Sequence, residues 1–485
     1  MKLTIRTIII LVLTLVLMLG LSACSDPNLS VEEYSMIVTE DDISQLEMFP
    51  NLKYADLRGS TCYEAIEAYF ASHPNVQVRY SIQFGNKRID KTTEELTLNC
   101  EKIPFEDLSS NLQYLTDLRK VFLTNITYSS DQINQLKNAY PHVEFAYSVI
   151  IGREQYNHDT QDMDLSELSS EDLDEVIEKL RILPNVTTVE LMNPAGSTNW
   201  KMEDVKVLKN TFSNISFHYR FHLFNRTVST TDELINYTDV SIGSEGLPLL
   251  RSALDILSSS TTLVLDDCGI EDSVMAALQD EYPEIKIVWR LHFGKYSILT
   301  NEKMIRMHNV ITDENSAYLK YCTNIQYMDI TNNPKLTDFS FINSMPELQA
   351  AMLSGTKISD LSVFGACSQL EWLDLYRCKN VKDVSVLANL EHLKYLNISN
   401  TAVKDIAPVM DLDMKQFVCI GTKVSGEQKN QFTDHHPDCL TRFTGTSPQI
   451  RYWRYLDTGK TYSPYYETLI SIFHYDDAKF KGNVK

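Results

Sequence analysis

The sequence predicts an α/β solenoid, a curved parallel β-sheet on the concave face with helices and short turns on the convex face. Two observations carry that prediction. Between Ile325 and Val403 one phrase recurs: Ile325-Gln326-Tyr327-Met328-Asp329-Ile330, then Leu348-x-x-Ala351-x-Leu353, Leu370-x-x-Leu373-x-Leu375 and Leu393-x-x-Leu396-x-Ile398, with starts 23, 22 and 23 residues apart. Apolar residues at the first, fourth and sixth places, at that interval, are the signature of a leucine-rich repeat: one strand and one return segment per turn. The second observation is a longer repeat upstream. Pro74-Asn-Val76-Gln-Val78, Pro141-His-Val143-Glu-Phe145 and Pro283-Glu-Ile285-Lys-Ile287 resemble one another, with a degenerate copy in which Ser213 replaces the proline. Their spacing is 67, 72 and 70 residues, or three turns, and His436-Pro437 opens a further copy.

Taken in order, residues 1–24 stand outside the repeats. Lys2 and Arg6 precede an apolar run from Ile8 to Leu19 that closes on Leu21-Ser22-Ala23-Cys24. A basic start, a short apolar core and small residues before a cut site are a secretory signal. The last four residues resemble a bacterial lipobox, which implies that Cys24 receives a lipid such as palmitate and becomes the new N-terminus. The alternative is an uncleaved anchor. Either way the bulk of the chain is expected to be exported and held at the cell membrane, by a lipid in the lipobox reading, with 25–34 as a short tether.

With 485 residues and 43% apolar content, the chain is too long for one ordinary core. Apolar strand centres recur near Ile37, Leu57, Val78, Leu98, Leu123, Phe145, Leu165, Leu191, Phe217, Ile242, Leu265 and Ile287. The repeats are therefore expected from residue 35: irregular, helix-backed turns over 35–310 and regular ones over 311–443. Ser130 to Tyr140 illustrates the backing helix, with Ile133 and Leu136 at helical spacing, a cap at Ser129-Ser130-Asp131, and Pro141 as the stop. From 325 the backs shorten to phrases such as Asp360-Leu-Ser-Val-Phe364, Asp383-Val-Ser-Val-Leu387 and Asp405-Ile-Ala-Pro-Val409.

Thr356, Ile358 and Asp360, and again Thr401, Val403 and Asp405, resemble the 22-residue repeats of internalin-type bacterial surface proteins. The resemblance covers about 325–425. It implies a surface binding scaffold, with a lipobox in place of that family's cell-wall sorting signal.

Residues 444–485 are rich in aromatics, and Ser463 to Tyr475 reads as an amphipathic helix with Leu469, Ile470 and Phe473 inward. A solenoid must cover its last turn, so this tail is expected to cap it.

The net charge is −21, and loss of Lys2 and Arg6 with the signal leaves −23. Such a surface disfavours nucleic acid. Eight cysteines besides Cys24 form no CxxC pair. Cys322 with Cys367, and Cys268 with Cys378, share places in the repeat but lie too far apart to bridge, and read as buried thiols. Cys419 and Cys439, on adjacent turns, are the one candidate disulfide pair.

No catalytic motif is present, and no cofactor or metal is expected: neither His218 with His222 nor His435-His436 with Cys439 makes a complete ligand set. The functional clue is geometric. Residues between the apolar places point onto the concave sheet. Tyr327, Trp372 and Tyr395 fall in one column, Asp329, Asp374 and Asn397 in the next, with Tyr376 beside them. Aromatics rimmed by carboxylates and amides suit a protein, peptide or glycan, bound by a monomer without catalysis. The competing explanation is that aromatics simply pack across strands. Two other classes are a solute-binding lipoprotein of a transporter, which needs two α/β lobes, and a surface enzyme, which needs a further catalytic domain.

Overall fold

In Glu95–Asn99, Leu96 and Leu98 are buried while Glu95, Thr97 and Asn99 face out, and this two-residue period lets a short strand serve as a rung. The structure, a computed structural model, describes residues 27–455 and 461–476. The signal sequence and Cys24 lie outside the described residues. Among those described, no helix is long and apolar enough to cross a membrane. Contacts divide the chain into two units, Met1–His218 and Tyr219–Lys485.

The first unit contains three parallel sheets of three rungs: β1 (Glu33–Ser35), β2 (Tyr54–Asp56) and β3 (Gln77–Arg79) make the first. β4 (Ser81–Phe84) and β5 (Lys87–Asp90) then form an antiparallel hairpin. β6 (Glu95–Asn99), β7 (Lys120–Thr124) and β8 (Glu144–Ile151) follow, and the far half of β8 pairs with β9 (Glu154–Asn157). β10 (Asp162–Asp164), β11 (Thr188–Glu190) and β12 (Ser216–His218) complete the unit.

The second unit opens on the hairpin β13 (Arg220–Leu223) and β14 (Arg226–Ser229). β15 (Leu234–Asn236), β16 (Thr262–Leu265) and β17 (Lys286–Phe293) are parallel, and β17 runs on to pair with β18 (Tyr296–Leu299). A seven-stranded ladder closes it: β19 (Met304–Arg306), β20 (Tyr327–Asp329), β21 (Ala350–Met352), β22 (Trp372–Asp374), β23 (Tyr395–Asn397), β24 (Gln416–Val418) and β25 (Leu440–Arg442).

The hairpins explain the long repeat. Their turns sit at Gly85, Gly152, Phe224 and Gly294, all with φ between 53° and 63°, and the spacing of these positions is again 67, 72 and 70 residues. Two-residue hairpins need a left-handed first residue, which favours glycine. Each copy is thus three rungs and a hairpin, so the upstream sheets are separate rather than one even ladder. Two expected strand centres shift for the same reason of local chain path. Ile37 is 63% exposed beyond the end of β1, and Ile242 is buried in a loop after β15.

The backs follow their sequence signals. Ser130–Ala139 is a helix whose Ser129 hydroxyl accepts from the Gln132 N–H, with Ile133 and Leu136 buried. Between β20 and β24 the backs shrink to short turns of three to five residues. Asp338, Asp360, Asp383 and Asp405 each accept a backbone N–H two residues on, at 2.9, 2.8, 2.8 and 2.9 Å. These bonds hold the Asp360 and Asp405 carboxyls below the usual range.

Candidate binding face

Met328, Ala351, Leu373, Leu396 and Phe417 fill one side of the ladder and are fully buried. Their neighbours therefore form the front face. Register aligns Tyr327, Ala350, Trp372, Tyr395 and Gln416 in one column, and Asp329, Met352, Asp374, Asn397 and Val418 in the next. The sequence-derived columns are thus brought together as expected.

Each of the first six rungs leaves its strand through a left-handed residue: Asn309, Asn332, Gly355, Arg377, Asn400 and Gly421. The N–H groups of Asn332, Gly355, Arg377 and Asn400 donate to the next rung at 2.7–3.0 Å, extending the pairing past the strand ends. At Gly355, φ is +73° and an added Cβ would lie 2.7 Å from Asn332 Oδ1; the conformation favours glycine, though Arg377 and Asn400 adopt it too, and the close approach adds to that preference. Parallel pairing rung by rung at the interval of the apolar phrase decides the fold. The chain is a leucine-rich-repeat solenoid.

No protein-family model and no curated protein matches this leucine-rich-repeat chain. Solved structures similar to it include an internalin, InlF, from Listeria monocytogenes, at 13% identity over 85% of this chain and 86% of that one, with a TM-score of 0.24. A leucine-rich-repeat protein from Leptospira interrogans is 14% identical over 86% and 97%, with a TM-score of 0.28. Internalin C2 of L. monocytogenes is 18% identical over 31% and 76%, at 0.24. Likenesses this low carry no argument about function, and the fold assignment rests on the chain's own register.

What the sequence reading missed is the cover over this leucine-rich-repeat face. Trp372 and Tyr395 are 8% and 7% exposed, and Asp329, Asp374 and Asn397 are buried as well. The C-terminal segment lies on them. Its helix, Pro464–Phe473, is capped by Ser463 and turns Tyr466, Leu469, Ile470 and Phe473 inward. With Trp453 these side chains form one apolar cluster with Ala350, Met352, Trp372, Tyr395, Val418 and Ile420. Leu469, Ile470 and Phe473 face inward as expected, but against the front face, while at the last rung the Arg442 guanidinium lies 5.9 Å from the Tyr452 ring. At that end Phe432, from the helix Gly426–His435, and Phe443 pack on Phe417 with centroids 4.7 and 5.8 Å away.

The contacts are specific. Trp372 and Tyr395 stack at 5.0 Å and 16°, and Tyr465 packs on Tyr395 at 4.7 Å. Phe473 meets Tyr327 edge-on at 6.4 Å. Gln416 Nε2 donates to the Tyr452 carbonyl at 2.8 Å. Arg306 donates to the Phe473 and His474 carbonyls at 2.8 and 3.2 Å, with its guanidinium 5.0 Å from the Tyr475 ring. Tyr376 sits outside the cluster, half-buried, with the Arg377 guanidinium 5.2 Å from its ring.

The polar column divides its labour. Asp329, Asp374 and Asn397 each use Oδ1 to accept the N–H two residues on, from Thr331, Tyr376 and Ser399. Asp329 Oδ2 is left for the face: it accepts from the Tyr475 hydroxyl at 2.7 Å and lies 3.1 Å from His308 Nε2. Burial alone would raise the Asp329 carboxyl. The hydrogen bond and charge of His308, with the hydroxyls of Thr331 and Tyr475, outweigh it and hold its pKa below the usual range. Burial and the Asp329 charge push Tyr475 well above its ordinary value, and burial moves Tyr395 to about 12.

Two buried donors of the face, Trp372 Nε1 and Asn397 Nδ2, and two of the segment, Trp453 Nε1 and Arg454 Nε, have no acceptor among the described residues. A buried donor left unmatched costs about 1–3 kcal/mol.

The remaining candidates separate. Cys419 and Cys439 are free thiols, so the bridge considered between them is absent. Cys268, Cys322, Cys367 and Cys378 are buried, as expected of core-filling thiols. His218 lies 3.4 Å from Glu190, and His436 Nε2 is 2.6 Å from the Met410 carbonyl. Among the described residues no group of three metal-ligating side chains comes together.

Proposed function

We propose that this protein is a lipid-anchored, extracytoplasmic scaffold that binds a polypeptide on the ladder's front face without catalysis. The observation that carries the reading is that the face already accepts a peptide segment, burying Trp453, Tyr466, Leu469, Ile470 and Phe473 against its aromatic column. Tyr327, Asp329, Trp372, Asp374, Tyr395 and Asn397 are the contacts, with Tyr376 at the edge. A protein or peptide partner suits this surface better than a glycan, because the groups it takes up are apolar and aromatic rather than hydroxylated. Cys24 carries the lipid, and the short stretch between it and β1 keeps the repeats near the membrane. Both units are built of parallel rungs, which favours a scaffold over a two-lobed solute receptor.

The test is a titration. A chain carrying Leu469→Asp and Phe473→Asp frees the face, and a labelled synthetic peptide of residues 461–476 is added. Saturable binding, lost on adding Trp372→Ala, supports the reading. No binding to a folded chain contradicts it. For the anchor, Cys24→Ser is expected to abolish incorporation of labelled palmitate and release the protein from membranes.

A further inference from the structure

We propose that the C-terminal segment, described over 449–455 and 461–476, is a displaceable occupant of the front face, and that the partner replacing it presents an amphipathic helix with its C-terminus at Arg306. The proposal rests on the peptide-binding reading above and adds its regulation and the chemistry of the partner.

The segment is dispensable to the ladder. The inner column from Met328 to Phe417 is fully buried, and near its C-terminal end Phe432 and Phe443 pack on Phe417. It joins β25 through Phe443–Pro448, which carries no hydrogen-bonded rung and holds Gly445 and Ser447 at φ of 130° and 57°. Such a connection can swing without breaking the sheet.

The occupant is also an imperfect match. Trp372 Nε1 and Asn397 Nδ2 belong to the face, are buried, and meet no acceptor among the described residues. A partner that brings a carbonyl, hydroxyl or carboxylate to either donor would gain a bond that the segment does not make. That asymmetry favours exchange.

The face also reads one feature that any helix possesses. Arg306 donates to the carbonyls of Phe473 and His474, the unpaired end of the C-terminal helix. These are main-chain groups, so the contact is independent of side-chain identity and fixes the direction of an incoming helix. Anchors equivalent to Tyr466, Leu469, Ile470 and Phe473 lie at i, i+3, i+4 and i+7, which defines the apolar stripe required. The Tyr475 hydroxyl on Asp329 is a side-chain latch, and a partner with a hydroxyl or amide donor at that place can reproduce it.

Two measurements test this. In native-state hydrogen exchange on the full mature chain, amides of 467–473 are expected to exchange at least a hundredfold faster than those of β20, β22 and β23. Equal protection would mean that the segment leaves only when the ladder unfolds, and the proposal fails. In the second, labelled peptide 461–476 should bind the Leu469→Asp, Phe473→Asp chain at least tenfold tighter than the unaltered chain, with Tyr475→Phe between. Equal affinity overturns the gate while leaving the peptide-binding reading intact. Absence of binding to every folded variant overturns that reading instead, and exchange on the unaltered chain then decides displacement alone.

Discussion

The Tyr475 hydroxyl donates to Asp329 Oδ2 at 2.7 Å across 146 residues of sequence. His308 shares the same oxygen from the other side. One buried carboxylate thereby ties the end of the C-terminal segment to the second rung of the ladder.

The pH dependence of that tie follows from the shifts. Asp329 has its pKa lowered from 3.8, so its contribution is complete above that value and is lost as pH falls through the folded pKa. Tyr475 is raised above 10.0, so its contribution is complete below 10 and is lost as pH rises through its folded pKa. Docking is therefore expected to weaken below about 4 and above about 10. Tyr475→Phe should cost about 1.5–3 kcal/mol of docking at pH 7, and Asp329→Asn should flatten the acid limb. Tyr fluorescence during urea titration at several pH values checks both.

Trp372 is the largest side chain in the covered column. Trp372→Ala removes its stack on Tyr395 and opens a gap beneath the segment, for an expected loss of about 3–5 kcal/mol in urea denaturation. Tyr376→Ala, outside the cluster, should cost less than about 1 kcal/mol.

Gly355→Ala puts a Cβ on a left-handed residue 2.7 Å from Asn332 Oδ1. The left-handed strain alone is about 1–2 kcal/mol. In an Asn332→Gly background the contact is gone, so the same substitution should cost less. A double-mutant cycle by denaturation measures the difference.

Burial pushes the Cys322 and Cys367 thiols up to about 12. At pH 8 in the native chain neither should react with a thiol reagent, whereas both should in denaturant. Early reaction at Cys322 would contradict the close packing of the ladder.

Much of this fold was legible. The phrase from Ile325 to Ile398 placed Tyr327, Trp372 and Tyr395 in one column, because an apolar period dictates which side chains point away from the core. The stripe Leu469, Ile470, Phe473 likewise declared a helix with a buried side. Neither pattern says what lies against an outward column or which surface a stripe will choose. That is why the tail was expected on the last turn and the columns were expected open. The hairpins were missed for a different reason. β8 and β17 are apolar through both halves, so the residues leaving the parallel sheet resemble those within it. Gly85-Asn86, Gly152-Arg153 and Gly294-Lys295 carried the signal, and Phe224 in the same place masked it.

The central claim is that the chain's own C-terminal segment covers its candidate binding face. Hydroxyl-radical footprinting of the native chain tests it most directly. Trp372, Tyr395 and Met352 should stay unmodified while Met36 and Met48, 50% and 51% exposed, are oxidised, and the first three should become reactive in the Leu469→Asp, Phe473→Asp chain. Oxidation of Trp372 and Met352 in the native chain at the rate of Met36 would contradict it.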